Sequence, residues 1–118
     1  MKFLIEMAYE RNDAIERCAN LGKQFIEHFK KVVDGGVNDD DFGHHCNEMQ
    51  VWYNDVKNIV LKYNKKKITN SQLIDWFFTI GSSVEYILDD KYVDFYEDFI
   101  IILLNNGSVA SSFYEMGL

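Results

Sequence analysis

Proline is missing from this chain altogether and only two cysteines occur, Cys18 and Cys46. Without proline there are no Pro-rich linkers, and no helix needs to break at a pyrrolidine ring, which suits a helical protein. Two cysteines are too few for a disulfide framework and point to a reducing compartment. Long apolar runs are also lacking. The longest, Phe99 to Leu104, has six residues, against about 20 needed to cross a bilayer. The opening Met1-Lys2-Phe3-Leu4-Ile5-Glu6 has three consecutive apolar residues before a carboxylate, too short for a secretory signal core. Basic residues all but vanish in the last part: after Lys67 there are eight acids and one base, Lys91, whereas residues 1–67 carry eleven of each. The whole net charge of −7 therefore belongs to residues 68–118. A chain so charged is not a general binder of nucleic acid or anionic lipid, which require clustered Lys and Arg.

What is present is a chain of 118 residues, 47 % apolar and 15 % aromatic. That is one domain's length, too apolar for intrinsic disorder, and long enough to bury a core without staples. It reads as a soluble, cytoplasmic, single-domain protein with no repeat and no low-complexity stretch.

The apolar residues recur at helical spacing. Leu4, Met7, Ala14 or Ile15, Cys18, Leu21, Phe25, Phe29 and Val32 mark one face of a helix from about residue 2 to 33, ended by Gly35-Gly36. Asn38-Asp39-Asp40-Asp41 opens a second helix of about 24 residues, with Phe42, Cys46, Met49, Trp52 or Tyr53, Val56, Ile59 or Val60, and Tyr63 inward. Thr69-Asn70-Ser71-Gln72 matches the capping box, so a third helix starts there. Its stripe is Leu73, Trp76, Phe77, Ile80, Val84, Ile87 and Leu88. Gly81-Ser82-Ser83 within it signals a bend or a close approach to a neighbour. A fourth helix spans about Asp90 to Asn105, with Tyr92, Phe95, Phe99, Ile102 and Leu103 inward, and Ser108 can cap a short fifth. The expectation is an all-α, antiparallel helical bundle of four main helices.

Catalytic chemistry finds little support. His44, His45, Cys46 and Glu48 follow three aspartates, and His44 and Glu48 share a helix face. Their spacing matches neither a zincin helix nor paired cysteine ligands, so they read as a charged helix start, with no metal and no cofactor. His45 and Cys46 are neighbours and point about 100° apart on a helix, which disfavours a shared proton. No phosphate loop or nucleophile elbow occurs. Neither Arg11 nor Arg17 is followed within a few residues by a histidine, as helical RNases of the HEPN type require. The reading is not an enzyme.

The informative surface is acidic. Asp90, Asp94 and Asp98 fall at i, i+4 and i+8 with Glu97 beside them, and Glu85 and Asp89 stand just upstream. Like charges at that spacing destabilise a helix by a few tenths of a kcal/mol per pair, and only Lys91 offsets them. The rings nearby exceed what one bundle core is expected to hold, so Phe78, Tyr92 and Tyr96 are candidate exposed anchors for a partner. In size, acidity and richness in Asn, Lys, Ile and Tyr the chain resembles phage-encoded inhibitors of bacterial defence nucleases, anti-CRISPR proteins among them. The resemblance is one of class and composition. It implies a larger protein partner with a basic groove, which in such targets holds nucleic acid. The alternative is a self-associating regulator of the immunity or antitoxin kind, a homodimer whose seam uses Met7, Cys18, Phe25 and Phe29.

Overall fold

The computed structural model describes residues 2–65, 67–83 and 90–118, with side chains from Glu10 onward. Among these residues there are five helices and no strand: α1 (Lys2–Asp34), α2 (Asp39–Tyr63), α3 (Asn70–Ser83), α4 (Asp90–Asn106) and α5 (Val109–Glu115). The all-α bundle of four main helices with a short fifth is the architecture observed. No described helix is long and apolar enough to cross a membrane.

Local chemistry sets the boundaries. Gly35 and Gly36 both take positive φ, +82° and +75°, which ends α1 at little steric expense. Asn38 caps α2 by accepting the Asp41 N–H at 2.8 Å, and three aspartates fill the first turn. The capping box forms in full: Thr69 Oγ1 accepts from Gln72 N (3.2 Å) and Gln72 Oε1 accepts from Thr69 N (3.0 Å). Gly107, at φ +78°, ends α4 by donating to the Leu103 carbonyl at 2.7 Å. Ser108 then caps α5.

The α1–α2 pair is the most extensive contact, and α3 packs chiefly on α1 while α4 and α5 complete the core. Phe25 stacks on Trp52 with centroids 3.9 Å apart. Phe29 meets the rings of Phe25, Tyr96, Phe99 and Phe113, so one side chain joins α1, α4 and α5. Gln50 of α2 fastens the α4–α5 turn, donating Nε2–H to the Gly107 carbonyl (2.9 Å) and accepting the Val109 N–H at Oε1 (2.8 Å).

Four expectations change. The rings around the acidic stretch mostly fit inside: Trp52, Tyr53, Trp76, Phe77, Tyr92, Tyr96 and Phe99 are all buried. Trp52 and Tyr53 meet Phe77, Trp76 meets Tyr63, and Phe99 stacks on Phe113 of α5, which enlarges the core beyond four helices. The register of α4 is also rotated. Its inward set is Tyr92, Tyr96, Phe99, Ile100 and Leu103, whereas Phe95 is 39 % exposed. Leu21 faces outward. The proposed dimer seam is occupied within the chain, because Cys18, Phe25 and Phe29 are buried in the core. The Met7 side chain lies outside the described residues, as do Val84, Glu85, Tyr86, Ile87, Leu88 and Asp89.

Candidate functional site

At 100° per residue the buried positions of α4 fix its opposite face. That outer face carries Asp90, Asp94, Glu97 and Asp98, all exposed, and Ile101 falls among them, one turn beyond Glu97 and Asp98. Ile101 is 42 % exposed, so an apolar side chain stands inside the acidic array, with Phe95 at its flank. Among the described residues none of the four acids is in an ion pair. Lys91, the one base in α4, reaches Asp34 Oδ1 of α1 with its Nζ at 2.7 Å. The hydrogen bonds from Lys91 and then from Tyr92 hold the Asp34 carboxyl below its ordinary pKa, so it stays ionised and keeps Lys91 turned toward α1.

The anchors named from sequence sit differently. Tyr96 is 3 % exposed, its hydroxyl donating to the Phe77 carbonyl at 2.7 Å, and burial pushes its pKa up. Tyr92 is buried as well, its hydroxyl on Asp34 at 2.9 Å. Phe78 is half-buried against the core. A tyrosine whose hydroxyl finds a carbonyl or carboxylate partner can enter a core, and this removes Tyr92 and Tyr96 as exposed anchors. The exposed large apolar side chains of α4 are instead Phe95 and Ile101. Ile101 was detectable in the sequence, since it shares the seven-residue interval of the acids with Asp94. Glu85 and Asp89 lie outside the described residues.

Comparison with known proteins finds no matching family model, no matching curated protein and no matching solved structure. Any function must therefore be argued from this chain's own surfaces.

A second cluster escaped the sequence reading because it joins two helices. His28 of α1 meets His45 of α2, Nδ1 to Nδ1 at 2.7 Å. The His44 ring lies 5.7 Å from that of His28 and 5.8 Å from that of His45. All three histidines of the chain are thus together. Burial first, then the neighbouring imidazole and other charges, lowers the His28 pKa. Burial and then Lys31 lower that of His45. Both rings are held neutral at pH 7, with one donating its Nδ1–H to the other. Among the described residues no group of three or more His, Cys, Asp or Glu is arranged to hold a metal ion.

The thiols offer no nucleophile. Cys18 and Cys46 are buried and unpaired by any disulfide, and burial pushes each pKa up to about 11. At pH 8 only about one thiol in a thousand is then ionised. In folded protein at that pH neither is expected to be alkylated by iodoacetamide over an hour, whereas both react in denaturant. Mass spectrometry of the intact protein reads the difference, and rapid native labelling would contradict this burial.

Proposed function

We propose that this protein is a small, non-enzymatic interaction module that binds and blocks a basic, nucleic-acid-binding surface of a larger protein. The observation that carries the reading is the outer face of α4: four exposed acids, none in an ion pair among the described residues, around exposed Ile101, with Lys91 paired to Asp34. The acids steer the encounter with a cationic groove, and the apolar side chains at their centre contribute the short-range contact that slows dissociation. Duplex DNA offers one charge per about 1.7 Å of axis, whereas successive turns of a helix are about 5.4 Å apart. The face therefore imitates a nucleic acid sparsely and relies on Ile101 and Phe95 for the rest. Inhibitors of bacterial defence nucleases, anti-CRISPR proteins included, work by this kind of obstruction, and the composition of the chain is similar to theirs.

The test is reversal of charge on the face alone. Asp94→Lys, Glu97→Lys and Asp98→Lys together should leave the far-UV circular dichroism unchanged, because all three side chains are exposed. Immobilised wild type is expected to retain a nucleic-acid-binding protein from bacterial lysate, released at modest salt as exposed charges are screened. It should also compete with nucleic acid for that protein. The reversed variant should do neither, with affinity down at least about a hundredfold. Equal capture by both proteins would sink this reading. Retention of nothing, together with a dimer in solution, would favour the self-associating regulator through surfaces other than the buried Cys18, Phe25 and Phe29.

A further inference from the structure

We propose that the His28–His45 pair is an acid-released latch between α1 and α2, closed while the pair holds no more than one extra proton and open once both rings are charged. The placement suits that role. His28 stands near the end of α1 and His45 near the start of α2, so the pair clasps the two helices beside the turn that joins them. A hydrogen bond between two Nδ1 atoms at 2.7 Å requires one ring to donate and the other to keep a lone pair there. A first proton adds at the donor's Nε2, away from the bond, and the imidazolium then donates more strongly than before. A second proton has only the accepting Nδ1 to occupy. Both facing nitrogens then carry hydrogen and both rings carry positive charge, so the bond is lost and the helices part at that point.

The surroundings set the pH at which this happens. His28 lines a cleft with Glu48 and Asp55, and His45 a separate depression with Lys31, Asp34 and Asp41, so each ring meets solvent on its own side. The titratable and charged groups facing the pair are thus Lys31 and Asp34 of α1 and Asp41, His44, Glu48 and Asp55 of α2. Glu48 favours charge on His28 and Asp41 favours it on His45, whereas Lys31 and His44 oppose it on either ring. Asp34 is engaged by Lys91 and Tyr92. Burial outweighs the carboxylates, and both rings titrate below the ordinary 6.5. Between their lowered values and 6.5 the opened chain binds more protons than the closed one. The latch is therefore complete above about pH 6.5 and is lost as the pH falls. One unit lower, a ring that refuses its proton when closed shifts the balance toward opening by about tenfold. The neighbouring Phe25–Trp52 stack has no group that titrates, which confines the response to the turn end of the seam. The inference is independent of the α4 surface and stands or falls separately.

The experiment follows the full chain by NMR between about pH 8 and pH 5. The ring signals of His28 and His45 should each report both proton uptakes, as two-step curves with shared inflexions, the second of them below the ordinary histidine value. Amide exchange, corrected for its intrinsic pH dependence, supplies the readout of opening. Protection of residues 26–34 and 42–49 should fall about tenfold from about pH 7.5 to about pH 5.5, while residues 99–104 of α4 change less than about threefold. His28→Gln is the control. Its carboxamide can donate to His45 or accept from it and never gains charge, so the acid loss over 26–34 and 42–49 should shrink below about threefold. Independent single-step titration of the two rings in wild type would overturn the proposal, as would equal protection at the two pH values. An acid loss in His28→Gln as large as that of wild type would do the same.

Discussion

Replacing Phe29 by alanine is expected to destabilise the protein by about 3–5 kcal/mol, the range for deleting a fully buried phenylalanine. Phe29 is completely buried and touches Phe25, Tyr96, Phe99 and Phe113. The space it vacates is bounded by three helices, and its other walls are aromatic rings held by their own stacking. Phe99 and Phe113, for instance, lie 4.6 Å apart. Rigid rings collapse poorly into a void, so the loss belongs in the upper half of that range. Against a total stability of about 5–15 kcal/mol for a domain, such a change removes a large fraction. Urea unfolding checks it: the midpoint should fall with the slope unchanged. A loss under about 1.5 kcal/mol would mean that this junction is not where the helices are joined.

The second large effect comes from adding a single methyl group. A Cβ built on Gly81 lies 2.4 Å from Cε1 of Tyr96 and 3.0 Å from Cζ. The ring cannot readily swing aside, because it is buried and its hydroxyl is bonded to the Phe77 carbonyl. Gly81→Ala should therefore cost about 1–3 kcal/mol from overpacking, even though alanine is intrinsically the better helix former by about 1 kcal/mol. The two contributions can be separated. In a Tyr96→Leu background the clash is gone, and the same glycine-to-alanine change should become neutral or stabilising. Destabilisation of equal size in both backgrounds would show that the contact between α3 and α4 is not the cause.

Gly81 also shows what the sequence could and could not reveal. Its place inside an apolar helical stripe pointed to a bend or a close approach, but nothing local could name Tyr96 as the neighbour. Helices and caps were legible because their causes are local: the Gly35-Gly36 stop, the Asn38 cap and the Thr69–Gln72 box each act within four residues. The register of α4 was harder. Rings stand at 92, 95, 96 and 99, and the apolar run from Phe99 to Leu104 has no polar residue to mark the solvent side. What chooses Tyr96 over Phe95 is a carbonyl on α3 that accepts its hydroxyl, a fact of tertiary structure. The acidic outer face survived that rotation because charge alone keeps Asp90, Asp94 and Asp98 in water. His28 was missed for a related reason, being paired across a helical turn to a residue 17 positions away. Folding the chain back on itself at Gly35–Asn38 brings the high twenties against the mid-forties, and that signal was available.

The carboxamide of Gln50 behaves as a peptide group carried on a side chain. It offers one donor and one acceptor to the turn between α4 and α5, much as a neighbouring strand would. A carboxylate there could only accept and an ammonium could only donate, so either would leave half of the turn unanswered. The attachment of the last eleven residues, and with it the cover that Phe113 places over Phe29 and Phe99, is thereby tied to the length and two-sided polarity of one glutamine. Replacing Gln50 by a residue lacking either the donor or the acceptor is therefore expected to cost stability, although its side chain is partly open to solvent.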